Sequence, residues 1–111
     1  MCSMSDILKK HCIPCEGGAA PLSRQAAEEL GREIPTWSIS ENARSIFCDF
    51  LFEDFKEAIQ FVNKVAELAE QEGHHPDITI SWNKVRLVLS THSIGGLSEN
   101  DFILAAKIDN I

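Results

Sequence analysis

The stretch that decides the fold is DFKEAIQFVNKVAELAEQEGHHPDITISWNKVRLVLS, residues 54–90. Its first half repeats apolar side chains at three- and four-residue steps. Phe55, Ile59, Val62, Ala66 and Ala69 follow one face, and Phe61, Val65 and Leu68 widen the stripe, the spacing of an amphipathic α-helix. Asp54 can cap the start, with Glu57 three residues on in the capping-box position. Gly73 can take the left-handed conformation that closes a helix, and Pro76 prevents its resumption. From Ile78 the period falls to two. Ile78, Ile80 and Trp82 alternate with Thr79 and Ser81, Asn83-Lys84 is the expected turn, and Val85, Leu87 and Leu89 continue on a return strand.

Working outward, Leu22–Leu30 reads as a short helix with Ser23 as N-cap and Gly31 as its stop. Pro35 resets the chain to extended geometry. Trp37 and Ile39 alternate with serines as a strand, Glu41–Arg44 make a turn, and Ser45–Phe52 return as a second strand. Beyond the second hairpin, Ile94-Gly95-Gly96-Leu97 breaks the pattern. A last helix starts at Ser98 with Phe102, Ile103, Ala106 and Ile108 on its apolar side. The order is α-β-β-α-β-β-α. The expected fold is α+β and two-layered, a four-stranded antiparallel sheet with three helices on one face. Residues 1–21 form a polar N-terminal arm and 22–111 a single domain.

With 111 residues and 44% hydrophobic content, the chain can build one core. Ten basic against 17 acidic residues give a net charge of −7, which repels nucleic acid and anionic membrane surfaces alike. No run approaches the roughly 18 apolar residues of a membrane span. The first fifteen residues lack a signal-peptide pattern, so the cytoplasm is the default location. Cys12-Ile13-Pro14-Cys15 has CxxC spacing, with Cys2 and His11 nearby. No second close pair exists to complete a zinc knuckle, and the motif runs into Glu16-Gly17-Gly18 rather than a helix, so it reads as reduced thiols without metal.

Function is concentrated in the second half. His74, His75 and His92, three of the four histidines, fall within residues 74–92. Imidazole alone has an unperturbed pKa that lets it exchange protons near neutrality. Glu70 precedes His74 by one helical turn and can orient an imidazole, although Glu67 and Glu72 beside it also fit a solvated acidic face. Asp101 stands three residues after Ser98, which suits the capping-box acid of the last helix as well as a role in the site. Trp82 either walls a pocket or packs within the sheet.

The pattern Glu70-x3-His74-His75-Pro76-x5-Trp82-x9-His92-x8-Asp101 resembles the signature of the pterin-4a-carbinolamine dehydratases. The strings Trp82-Asn83-Lys84-Val85, Leu89-Ser90-Thr91-His92 and Gly96-Leu97-Ser98-Glu99-x-Asp101 are similar as well, and the likeness covers residues 22 to 109. The resemblance implies dehydration of 4a-hydroxytetrahydrobiopterin to quinonoid dihydropterin and water, in tetrahydrobiopterin recycling after aromatic amino acid hydroxylases. It implies no cofactor and no metal. It implies His74 and His92 as the acid–base pair and His75 as a pterin-holding or proton-shuttling group, with Glu70, Trp82 and Asp101 in support. Homodimers or homotetramers with sheets joined edge to edge are expected on the same ground.

Two rival functions remain at this level. A metal-dependent hydrolase would use His74, His75, His92 and Asp101 as ligands, yet adjacent histidines in extended chain point apart and no HxH spacing occurs. A non-enzymatic interaction module would follow animal members of the family, which also stabilise a dimeric transcription factor.

Overall fold

In a computed structural model, which describes residues 20–111, the chain forms α1 (Arg24–Gly31), β1 (Ser38–Ile39), β2 (Ile46–Leu51) and α2 (Phe55–Glu72). These are followed by β3 (Asp77–Ser81), β4 (Lys84–Leu89), a 3-10 turn at His92–Ile94 and α3 (Glu99–Ile108). The four strands make one antiparallel sheet in the order β1-β2-β4-β3. The expected α+β architecture is the observed one. The Cys12–Cys15 pair lies outside the described residues.

Local sequence explains most boundaries. Ser23 accepts a hydrogen bond from Ala26 N–H at 3.1 Å, and Asp54 accepts one from Glu57 N–H at 2.8 Å. These side chains satisfy amides that the first helical turn leaves free. Gly73 closes α2 at φ 65°, in the left-handed region where glycine meets no steric cost. Gly31 ends α1 differently: Arg32 stays right-handed, and Arg32, Glu33 and Ile34 each donate to a carbonyl three residues back. These tight turns carry Ile34 and Trp37 into the core.

Three local expectations shift. The buried line of α2 runs through Ala58, Val65 and Ala69, while Phe55 and Ala66 are exposed. Alanine at two of those positions lets the helix lie close to its neighbours. The β3–β4 turn is Trp82-Asn83 rather than Asn83-Lys84, because Ser81 pairs with Lys84. Trp82 takes φ 53° there, and Asn83 ties the hairpin to β2 through Phe52 N–H to Asn83 O at 2.8 Å and Asn83 Nδ2–H to Phe52 O at 3.0 Å. Finally, α3 is not one-sided: eight of its ten residues are buried, Asn100 and Asp101 included.

Register separates the sheet faces. Ile46 opposite Leu89, Cys48 opposite Leu87 and Phe50 opposite Val85 form the covered face. Phe50 and Phe52 meet Phe61 of α2 at ring distances of 4.7 and 5.0 Å. On the open face Arg86 donates to both oxygens of Asp49 at 2.7 and 2.9 Å and lies over the Phe47 ring. β3 is different again, since all five of its residues are exposed.

Candidate active site

The site is built where α2 ends and α3 begins. Past the left-handed Gly73, His74 donates its backbone N–H to Ala69 O, and its imidazole turns toward the first turn of α3. His74 Nε2 lies 2.6 Å from Asp101 Oδ1, with side-chain exposures of 12% and 0%. The other oxygen, Oδ2, accepts from Thr91 Oγ1–H at 2.9 Å and from Ser98 N–H at 3.0 Å. Thr91 Oγ1 and Ser98 Oγ are 2.7 Å apart. Asp101 therefore fills both roles open to it in the sequence: one oxygen caps α3 and the other holds His74. A buried carboxylate needs such partners, since leaving a charge unpaired there costs on the order of several kcal/mol.

Thr91 also fixes the loop that carries His92. Its backbone pairs with Gly96, Thr91 N–H to Gly96 O at 2.8 Å, and Gly95 turns the loop at φ 69°. His92 is exposed on the 3-10 turn so closed, one residue from the threonine that shares Asp101 with His74. His75 is exposed and pairs instead with Glu70, Nε2 to Oε2 at 2.5 Å. So close to water such a pair orients a ring more than it stabilises the fold.

Trp82 is not brought to these residues within one chain. It is 67% exposed at the tip of the β3–β4 hairpin. The whole of β3 separates it from Pro76, five residues at about 3.3 Å each. It neither packs in the sheet nor reaches the histidines of its own chain. Thr91 and Ser98 escape a search for titratable residues. Ser98 was legible as the N-cap three residues before Asp101, whereas Thr91 was marked only as part of the family-like string before His92, with no role attached to it. Among the described residues no three His, Cys, Asp or Glu side chains are grouped as a metal-ligand set.

Residues 20–111 match the sequence pattern of the family described as pterin 4 alpha carbinolamine dehydratase. The chain belongs to that family. A Halorhodospira halophila protein bearing the dehydratase name is 50% identical over 100 residues, spanning 90% of this chain and 92% of that one. The crystal structure of a transcriptional coactivator/pterin dehydratase from Brucella melitensis superposes with a TM-score of 0.76 at 31% identity, over 81% of this chain and 96% of that chain. A pterin dehydratase-like protein described as a RuBisCO assembly factor in the alpha-carboxysome shares the fold, with a TM-score of 0.59 at 24% identity, over 68% of this chain and 87% of that chain. In this member of the dehydratase family, His74, His75, His92 and Asp101 occupy two adjoining junctions, α2–β3 and β4–α3. No helix of the described residues is long and apolar enough to cross a membrane.

Proposed function

We propose that this protein dehydrates 4a-hydroxytetrahydrobiopterin and related pterin-4a-carbinolamines to quinonoid dihydropterin and water, using His74 and His92 as an acid–base pair. The observation that carries the reading is the His74–Asp101 pair, an imidazole held rigidly by a buried carboxylate at an element junction. Membership of the dehydratase family supports it. In the reaction the carbinolamine C–O bond breaks and its electron pair leaves with oxygen, which takes a proton from the acid. The lone pair of the adjacent ring nitrogen forms the C=N bond, and the base accepts the proton that nitrogen carried. Protons balance without a metal or an oxidant. Each well-placed acid or base contributes on the order of 10²–10⁴ in rate. His75, oriented by Glu70, holds the pterin, and an aromatic amino acid hydroxylase is the class of enzyme that supplies the substrate. Stopped-flow decay of chemically generated 4a-hydroxytetrahydropterin tests the reading. Wild-type protein should accelerate it and His74→Ala and His92→Ala should not; wild type without effect refutes it.

Oligomerisation through β3 belongs to the same proposal. Ser81 and Lys84 flank a two-residue turn, so residues 77, 79 and 81 bond to β4 and the amides of Ile78 and Ile80 point outward. An exposed, unblunted edge of this kind pairs readily with another strand. A two-fold axis at Thr79 sets Ile78 against Ile80 of the partner subunit and buries both apolar side chains, now 36% and 38% exposed. The same register brings Trp82 opposite Pro76 of the partner subunit, which gives the exposed indole a place beside the second histidine loop.

A second reading, protein binding, is favoured by the coactivator in the Brucella protein's description and by exposed Leu51, Phe55 and Trp82. Replacing all three histidines of the site by alanine would spare such a role while abolishing catalysis.

A further inference from the structure

We infer that Thr91 and Ser98 are positioning residues which, through Asp101, fix the tautomer of His74 and make its Nδ1 the basic nitrogen offered to substrate. This rests on the proposed acid–base role of His74, and it assigns a direction to that role.

A backbone amide can only donate, so Ser98 N–H commits Asp101 Oδ2 to accepting. Thr91 Oγ1 donates its only proton to the same oxygen. The 2.7 Å contact between the two hydroxyls must then run from Ser98 Oγ–H to Thr91 Oγ1. Every proton in this chain points toward Asp101. As a carboxylate Asp101 has none to give back, so His74 Nε2 must carry the hydrogen of its 2.6 Å contact with Oδ1. In the neutral ring Nδ1 is then the bare nitrogen.

Nδ1 has no hydrogen-bond partner among the described residues. No buried side-chain nitrogen or oxygen there lacks one, so Nδ1 reaches solvent. It is the accessible basic atom of a ring whose other nitrogen is anchored. A neutral His74 arranged this way has no proton to give at its open side. It takes one, from the ring nitrogen of the carbinolamine, and the resulting cation faces the buried carboxylate at Nε2–H. The proton for the departing hydroxyl then falls to His92, exposed on the loop that Thr91 closes. The logic is that of a carboxylate holding an imidazole in one tautomer for base catalysis. What is particular here is the hydroxyl relay behind the carboxylate. Without it Asp101 keeps only the Ser98 amide at Oδ2, the hold on Oδ1 against His74 is weakened, and an imidazole that leaves that contact can take up either tautomer.

The test uses the full chain with 15N-labelled histidine and the variants Thr91→Val and Thr91→Ser. In wild type at neutral pH, Nε2 of His74 should give a protonated, pyrrole-type resonance and Nδ1 a pyridine-type one. Thr91→Val keeps shape and loses the hydroxyl. It should show a mixture of tautomers and a kcat lower by about tenfold with KM within about twofold, the signature of a contribution realised in the transition state. Thr91→Ser should restore both readings. Ser98→Ala, which removes the relay's first donor, should move the spectrum in the same direction as Thr91→Val. A wild-type His74 protonated at Nδ1 overturns the inference, as does a Thr91→Val protein whose spectrum and turnover match wild type. The wild-type spectrum needs no variant to fold and no turnover, so a protein inactive on carbinolamines but carrying the stated tautomer would sink the proposed function alone.

Discussion

Replacing Asp101 by asparagine should leave the fold standing and disable the site. The side chain is fully buried and receives three hydrogen bonds, two at Oδ2 and one at Oδ1. An amide has one oxygen and one NH2 group. The Ser98 N–H cannot reverse, so the amide oxygen must stay at the Oδ2 position and the NH2 must face His74. The imidazole can meet that donor only by moving its proton to Nδ1. The helix cap survives, and the basic nitrogen turns inward. A charge-assisted hydrogen bond becomes a neutral one, a difference of about 1 kcal/mol. For a domain of this size that corresponds to a fall in Tm of roughly 4–8 °C. Loss of one properly oriented acid–base group should lower kcat by about 10²–10⁴. Stopped-flow decay of the carbinolamine measures the second effect and a circular dichroism melt the first. Asp101→Ala is the contrast, since it strands the Ser98 amide and the Thr91 hydroxyl as well and should melt lower than the asparagine variant. An asparagine protein with turnover within about threefold of wild type would refute the view that this carboxylate sets the state of His74.

Three further outcomes are expected. Partial desolvation pushes the Asp109 carboxyl above its usual range although the residue keeps an exposed face, and the Trp37 indole N–H that donates to it at 3.0 Å offsets part of the rise. The folded state thus binds that proton more tightly than the unfolded chain does, and stability from this group falls as pH rises from the unfolded toward the folded pKa. Asp109→Asn should accordingly raise Tm at neutral pH and leave it unchanged in acid below both values; a melt series in pH that shows no such convergence argues against it. Gly96→Ala would set a Cβ 2.6 Å from Pro21 Cβ, displacing the segment whose Leu22 N–H bonds Leu97 O. A loss of about 1–2 kcal/mol should appear in urea unfolding, and an unaltered midpoint would show that the segment yields freely. Ile80→Pro removes an outward amide of β3 without touching its bonds to β4, so light scattering should register a smaller assembly while the monomer fold persists.

Much of this could be read before any coordinates. The three helices, the two hairpins and their order follow from a change of apolar period, 3.6 to 2, with Ser23, Asp54, Gly73 and Ser98 at the junctions. Less legible was the edge of each pattern. Trp82 alternates with Ile78 and Ile80 as though it were a strand residue, and only the pairing of Ser81 with Lys84 puts it in the turn. Local propensity also points the wrong way there, since a tryptophan at φ 53° gains nothing from its own backbone. The apolar side read for α3 is buried as expected, but the reading was incomplete for another reason. Periodicity records which side chains are apolar, and Asp101 is buried because Thr91, Ser98 and His74 satisfy its oxygens. In the site, spacing singled out the histidines, Glu70 and Asp101, yet it could not say which carboxylate serves which ring.

Sequence alone determined the element types, their succession and the small set of proton-exchanging side chains, because backbone period, capping and turn formation act over a few neighbouring residues. Tertiary structure decided the assignments across distance: His74 with Asp101, 27 residues apart, Glu70 with exposed His75, and Thr91 behind the carboxylate. Those choices depend on how the end of α2 meets the start of α3. That meeting is set by the core to which α2 contributes Val65 and α3 contributes Leu104, and by the ion pair of Lys107 with Glu72 at 2.8 Å. No short-range pattern carries that information, since it exists only once distant apolar surfaces have excluded water from between them.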